Sequence, residues 1–475
     1  MLHNDSVTPE NVYQKICSLS PLDKAEYRQY DGIAFARMFS DTFNHVLRYN
    51  ITSKTYMAYI GTKWVQDTGN MIADSYAKMF ARAIARYAIE HEEAPKEFIR
   101  AAQSYGDYNK RRILIIDARS YNPISKDDLD KYPYLLNCLN GVLDLNSMKL
   151  LPHDPKLLLS KQANFIYDPS ARSDLFIQFM DEIMNGDKEK IKYIQILLGS
   201  SMLGENPAEE FHLFYGITTR NGKSTLLGVV EFLFGDYACS INPESLAQAK
   251  DASGRTASGD IARLDGIRFL HCSELPKRMK LNVELIKKMT GGDVLTARHL
   301  YEREFSFVPV FNLFVNTNYL PIVLDNSLFT SGRVKIVTFD RHFEPHEQDL
   351  KLKSKLRSPE NLSGIANWLL EGLKMYHEQG DRYIVPDSVL AATADYMDKS
   401  DKLQTFLDDQ MTKEEDGCVS AKALYDAYAQ WCKENGYGVD NKRHFMDDLR
   451  SKNLLQDTGT IGSKTVRNVV KGYSF

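Results

Sequence analysis

Apolar positions along the chain alternate between strand-like runs and helical spacing, and the switches mark the elements. Phe211-His212-Leu213-Phe214-Tyr215 is an unbroken apolar and aromatic run, the pattern of a short buried strand. A polar loop follows, and Leu226 to Phe234 then reads as an apolar helix. Upstream, Thr55 to Ile60 and Gly61 to Val65 predict a small β-hairpin turning at the glycine. Asn70 to Glu90 carries Met71, Ile72, Tyr76, Met79, Phe80, Ile84 and Tyr87 at helical intervals, which predicts an amphipathic helix. Asn140-Gly141 between apolar runs marks a tight turn, and Leu150 to Pro155 and Tyr167 to Pro169 read as loops. From Asp174 to Ser201 two apolar series describe two helices leading into the 211–215 strand.

From 211 to about 342 strand and helix patterns alternate, which predicts an α/β core. Leu362 to Glu378 reads as a helix and Asp381 to Asp387 as a connecting loop. Lys422 to Glu434 and Lys442 to Lys452 follow as two amphipathic helices, before strand-like Lys464 to Val470. Helix, helix and β-wing resembles a winged helix. The fold class is therefore multidomain α/β. Its expected parts are a mixed, α-rich N-terminal region over 1–170, a core over 171–345, a helical connector over 346–400 and a winged-helix-like unit over 401–475.

Composition narrows the picture. A chain of 475 residues is too long for one simple core. With 43% apolar and 26% charged residues it reads as an ordinary globular protein. A net charge of −4 means that any nucleic-acid contact must come from local basic patches, which argues against a protein that coats DNA. Arg82, Arg86, Lys110, Arg111 and Arg112 form one such basic region, readable either as a DNA contact or as a solvated helix face. The six cysteines are scattered without a Cys-x-x-Cys pair, so reduced thiols are expected and zinc is not. The N-terminus lacks signal-peptide features, and no apolar run nears the roughly 18 residues of a spanning helix. A soluble, cytoplasmic protein with no membrane partner is the expectation.

The chemistry gathers at strand ends. After the 211–215 strand come Gly216, Arg220, Asn221, Gly222, Lys223, Ser224 and Thr225 and then a helix, the order a phosphate-binding loop needs. In such a loop Lys223 reaches phosphate oxygens and the Ser224 hydroxyl holds Mg²⁺, so ATP and Mg²⁺ are the expected cofactors. One departure is that five residues, not four, separate Gly216 from Gly222. The next apolar strand, 266–274, ends in Glu274, where an NTPase places the carboxylate that binds Mg²⁺ through water or polarises the attacking water. A second acid could be Asp265 or Asp260. Val310 to Asn318 is another buried strand ending in amides, and Asn316 and Asn318 are both placed to orient a water. Arg333 opens a further strand, where an arginine supplied across a subunit boundary could stabilise transition-state charge. Between the acid and asparagine strands, Gly291-Gly292-Asp293, a basic and aromatic stretch and Phe305-Ser306-Phe307 read as a β-hairpin. Arg298, His299 and Tyr301 there suit a grip on a nucleic-acid strand.

Taken together, GITTRNGKST, RFLHCSE, LIKKMTGGD with TARHLY, NLFVNTN and GRVKIVTF resemble the superfamily 3 helicases. The likeness is greatest to the helicase half of phage- and plasmid-type replicative primase–helicases and spans roughly residues 50 to 475. The resemblance implies an AAA+-type ring of six copies, with ATP at subunit interfaces. It gives Lys223 and Ser224 as Walker A, Glu274 as the Walker B acid, Asn318 as sensor 1 and Arg333 as the arginine finger. Lys287, Lys288 and Arg298 fall in its DNA-contacting stretch. A single arginine stands where relatives often carry a pair. The N-terminal region has no zinc-type cysteine spacing and no convincing Asp-x-Asp on a strand, so the expectation is a helicase without primase activity. It would act on single-stranded and forked DNA during phage or mobile-element replication, beside a separate primase or origin-binding protein. An ATP-switched origin-binding initiator is the alternative, and a small-molecule kinase would have no use for the hairpin.

Overall fold

A computed structural model describes residues 7–206, 208–248, 258–277, 279–298, 304–323, 327–400, 402–435 and 439–475. The chain begins with helices α1 (Pro9–Leu19) and α2 (Gly32–Phe43) and an antiparallel sheet of β1 (Leu47–Asn50), β2 (Thr55–Tyr59) and β3 (Trp64–Gln66). The expected hairpin is the β2–β3 pair, with Tyr59 opposite Trp64. Helices α3 (Met71–Glu90), α4 (Lys96–Ser104) and α5 (Tyr108–Asp117) close this unit. Its core is aromatic: Phe35, Phe39, Phe43, Tyr76, Phe80 and Phe98 are all buried. Arg86 pairs with Glu10 and Glu90, and Arg111 caps two loop carbonyls, so both serve the fold locally.

A small antiparallel sheet follows, of β4 (Leu135–Cys138), β5 (Gly141–Asp144) and β6 (Lys149–Leu151), with the expected turn at Asn140-Gly141. Helices α6 (Asp174–Ile183) and α7 (Lys188–Ser200) lead into β7 (Phe211–Tyr215). Helix α8 (Lys223–Phe234) begins at Lys223, three residues before the apolar pattern does, because Gly222 supplies the left-handed turn that starts it. The rest of the central region is β8 (Ala238–Ile241), α9 (Pro243–Leu246), α10 (Ser258–Ala262), β9 (Phe269–Ser273), α11 (Val283–Thr290), β10 (Leu295–Ala297), β11 (Phe305–Phe307), β12 (Asn312–Thr317), α12 (Ser327–Thr330) and β13 (Val334–Thr338).

Five of these strands form one parallel sheet in the order β13-β7-β12-β9-β8. Strands covered on both faces need no polar alternation, and β12 is buried along its whole length. The period of two instead sorts residues between two cores. Phe214, Phe269, Phe314 and Val337 face α6, α7, α8 and a later helix, while Leu213, Leu270, Val315 and Ile336 face α11 and its neighbours.

Helices α13 (Leu352–Leu356), α14 (Pro359–Glu378) and α15 (Asp387–Ser400) complete the two layers. The last part runs α16 (Lys402–Gln410), β14 (Thr412–Ser420), α17 (Ala421–Glu434), α18 (Lys442–Ser451), β15 (Leu455–Ile461) and β16 (Lys464–Ser474). Its strands form an antiparallel sheet, β14-β16-β15, over a separate core of Phe406, Leu424, Tyr428, Trp431, Phe445 and Leu449. Among the described residues no helix is long and apolar enough to cross a membrane.

Candidate functional site

Strands β7 and β12 lie side by side, yet the chain leaves them toward opposite edges of the sheet. A crevice opens where neighbouring strands part in this way, at their carboxyl ends. Three segments meet there: the loop after β7, the tip of β12 and the tip of β9.

The loop folds back on itself around Lys223. Gly222 has φ +84°, and a side chain on it would overlap Ile183 Cγ2 as well as strain the backbone. A Cβ on Gly216 would sit 2.8 Å from both Asn221 Nδ2 and Lys223 Nζ, so the loop closes only over glycine. Lys223 is 4% exposed and donates to Asn221 Oδ1 at 2.6 Å and Asn318 Oδ1 at 2.9 Å. Both partners are neutral amides, and burial lowers the ammonium's pKa to about 8. Asn221 is held in turn by Thr218 Oγ1 at 2.9 Å and the Phe339 carbonyl at 3.3 Å. The first-turn amides of α8, from Lys223 to Thr225, have no helical acceptor, as at any helix start.

Ser224 is exposed beside Lys223, and its hydroxyl accepts from Asn316 Nδ2 at 2.9 Å. Asn316 and Asn318 looked interchangeable in sequence; the structure puts one on Ser224 and the other on Lys223. Glu274 stands exposed at the tip of β9 with φ +57°, and its N–H bonds the Asn316 carbonyl at 2.8 Å. Two strand spacings, about 10 Å, separate β7 from β9. Ser224 and Glu274 thus flank the tip of β12, a hydroxyl and a carboxylate of the kind that hold Mg²⁺ together with phosphate and water.

Other residues singled out from sequence lie elsewhere. Arg333 precedes β13 at its amino end, across a five-residue strand of about 16 Å from the crevice. It is paired with Glu209 at 2.6 Å and donates to Thr290 Oγ1 at 3.0 Å. Asp265 and Asp260, weighed above as a second acid, are both removed from Glu274. Asp265 lies before the amino end of β9 and pairs with Lys126 at 2.9 Å. Asp260 is held beyond the edge strand β8 by Ser245 at 2.7 Å and Asn242 at 3.2 Å. The expected hairpin is β10–β11, with Thr296 opposite Ser306. Lys288 on α11 pairs with Glu284, Lys287 bonds Ser327, and Arg298 is exposed just past β10. His299 and Tyr301 lie outside the described residues.

The fold also brings in side chains that sequence reasoning missed. The His342 ring meets the Thr219 carbonyl at 2.8 Å, and the Phe343 N–H donates to Arg220 O at 3.1 Å, so the chain after β13 buttresses the loop. A cavity of about 490 Å³ opens beside the loop, walled by Phe179, Glu182, Arg220, Thr225, Phe343 and Gln348. Its residues come from segments more than a hundred positions apart, and no local pattern could have joined them.

Comparison with known proteins adds to this. Residues 34–185 match a family described as D5 N terminal like, and residues 398–459 match one described as Poxvirus D5 protein-like. The chain is 28% identical over 340 residues to the putative helicase L207/L206 of Acanthamoeba polyphaga mimivirus, a match covering 67% of this chain and 35% of that protein. It is 27% identical over 255 residues to the putative helicase 022R of Frog virus 3 (isolate Goorha), covering 50% and 26%. With the putative primase C962R of African swine fever virus (isolate Tick/Malawi/Lil 20-1/1983) the identity is 23% over 348 residues, covering 68% and 35%. The chain thus spans only about a quarter to a third of the length of these relatives. Among solved structures, the apo C-terminal region of NrS-1 shares the fold at a TM-score of 0.50 and 12% identity, covering 90% of this chain and 96% of that one. The resemblance to the primase–helicases drawn from the motifs holds, and the chain is related to viral proteins named as helicases and primases.

Proposed function

We propose that this chain is the ATP-driven motor of a replicative DNA helicase, binding ATP and Mg²⁺ at the crevice between β7 and β12. The observation that carries the reading is Lys223, buried at the start of α8, whose ammonium among the described residues bonds only amide oxygens. A buried cation without a counter-ion is poorly satisfied by itself and well satisfied by phosphate. Gly216, Arg220, Asn221, Gly222, Ser224 and Thr225 complete the loop, and the adjoining cavity offers aromatic walls for the rest of a nucleotide. Ser224 and Glu274 would hold the Mg²⁺, which supplies positive charge against the phosphate oxygens when bound with ATP. Glu274 would draw the proton from the attacking water and Asn318 would orient that water.

On this reading residues 171–345 are an AAA+-type P-loop core between the 1–170 region and the connector at 346–400. Arg333, at the far edge of the sheet, cannot reach its own crevice and would serve a neighbour's, so active copies form a ring, with six as the expected number. Single-stranded DNA would be gripped by the α11 and β10–β11 segment, through Lys287, Lys288 and Arg298. The order helix, strand, helix, helix, strand, strand over 401–475 supports a winged helix there, suited to forked or duplex DNA.

The test is ATP hydrolysis by wild type and Lys223→Ala, with and without single-stranded DNA, alongside mass by light scattering. The expected result is turnover by a ring-sized species, stimulated by DNA and lost in the variant. Slow turnover by a monomer indifferent to DNA would overturn the motor reading in favour of an ATP-switched initiator.

A further inference from the structure

We infer that Asn316 is the positioning residue that orients the Ser224 hydroxyl toward the cation, a task a carboxylate could perform only by accepting a hydrogen bond. The inference rests on the ATP and Mg²⁺ reading above. Strand β9 closes with Cys272-Ser273-Glu274, a single acid at its tip and two strands away from Ser224. The intervening strand β12 brings Asn316 to Ser224 instead, with Nδ2 2.9 Å from Oγ. Asn316 is 3% exposed, and its backbone is held in the sheet, in register with Phe214 on one side and Ser273 on the other. Its own carbonyl accepts from the Glu274 N–H at 2.8 Å, so one residue fixes both the hydroxyl and the acid.

The chemistry of an amide differs from that of a carboxylate at this position. A hydroxyl whose oxygen lone pairs turn to a cation must donate its proton elsewhere. A carboxylate can only accept, so it would hold that orientation at all times and add negative charge. An amide can donate through Nδ2 to the free hydroxyl and, turned about χ2, accept through Oδ1 once the cation is bound. Asn316 therefore supports Ser224 in both states while contributing no net charge. The predicted consequence is a cation affinity below that of the same site with an acid, and above that of a site with no partner for the hydroxyl.

The experiment follows a fluorescent ATP analogue binding to the full chain, first in EDTA and then with Mg²⁺ titrated in, for wild type, Asn316→Ala and Asn316→Asp. Wild type should bind more tightly as Mg²⁺ rises. Asn316→Ala should keep the EDTA affinity and need about tenfold more Mg²⁺ for the same gain, as when a group supporting a metal ligand is removed. Asn316→Asp should need about tenfold less than wild type, since its charge faces the cation. Bound Mn²⁺, read by electron paramagnetic resonance, should change in the same order. Identical Mg²⁺ curves for all three proteins would overturn the inference while leaving ATP binding intact. A wild type that binds the analogue neither in EDTA nor with Mg²⁺ would instead overturn the ATP reading itself. If Asn316→Ala melts early, Asn316→Asp, which matches the native side chain in size, decides alone.

Discussion

Lys223 carries its charge under strain: only 4% of it is exposed, and its pKa falls to about 8 because burial strips water from the ammonium. Phosphate oxygens would restore the charge, so the bound lysine titrates higher than the free one. The sign of the pH dependence follows. Below about pH 7 the free lysine is already protonated and affinity is flat with respect to this group. Above pH 8 binding must take up a proton, and affinity for an ATP analogue should fall toward tenfold per pH unit. Titrations at pH 7, 8 and 9 measure this. Lys223→Arg, whose side chain stays charged throughout, should flatten the slope even if it binds more weakly. A slope that survives in the arginine variant would assign it to another group.

At the scale of elements, helices α7 and α14 pack backbone against backbone. A Cβ on Gly372 would overlap the Gln195 carbonyl, and one on Gly199 would overlap that of Leu369, so each helix brings a glycine up against the other's backbone. Gln195 Nε2 donates across the crossing to the Trp368 carbonyl at 2.8 Å. Gly372→Ala should force the helices apart and cost about 1–3 kcal/mol, read as a lower urea midpoint. It should also loosen nucleotide binding, because Lys190 on α7 ties down the end of β13 through Thr338 at 3.0 Å and Asp340 at 3.3 Å. An unchanged midpoint would mean that the crossing relaxes freely.

The elements differ in how plainly the sequence announces them. Strand β7 is an unbroken apolar run and helices α3, α6 and α7 carry their apolar residues at helical spacing, and they appear where those patterns put them. Strand β14 could not be read this way: Lys-Glu-Glu-Asp runs through its middle, and it is a strand because β16 pairs with it. The crevice was legible for a related reason. Glu274 and Asn318 each follow directly on an apolar strand and Lys223 follows one after a short glycine-bounded loop, so strand direction places all three at one edge. The same logic puts Arg333, which precedes its strand, at the other. His342 and Phe343 had no such marker, because only the completed sheet carries them to the loop.

Across the whole molecule, the N-terminal unit is stitched to the central region through the tip of its hairpin. The Trp64 N–H reaches the Leu159 carbonyl at 2.8 Å, Asn137 Nδ2 reaches the Thr62 carbonyl at 3.0 Å, and Lys63 pairs with Asp236. Lys126 of the same unit lies 3.9 Å from the centre of the Phe305 ring at the start of β11. The proposed ring makes a further prediction at this scale. Lys223→Ala and Arg333→Ala should each be inactive alone. When mixed, lysine from one and arginine from the other meet at about a quarter of the interfaces, so hydrolysis should return to roughly that level. Mixed samples that stay inactive would mean that Arg333 does not act across an interface.

The lysine and the arginine stand at opposite ends of the same parallel sheet, and this has a consequence for how such a machine is switched on. If Arg333 serves a neighbour's crevice as proposed, a lone chain would hold one half of each of two sites and the whole of neither. An open row of chains is always one site short of its membership, and only a closed circle has as many sites as members. On that reading newly made copies would be idle by construction. Closure itself, with no separate inhibitor, would be the signal to run.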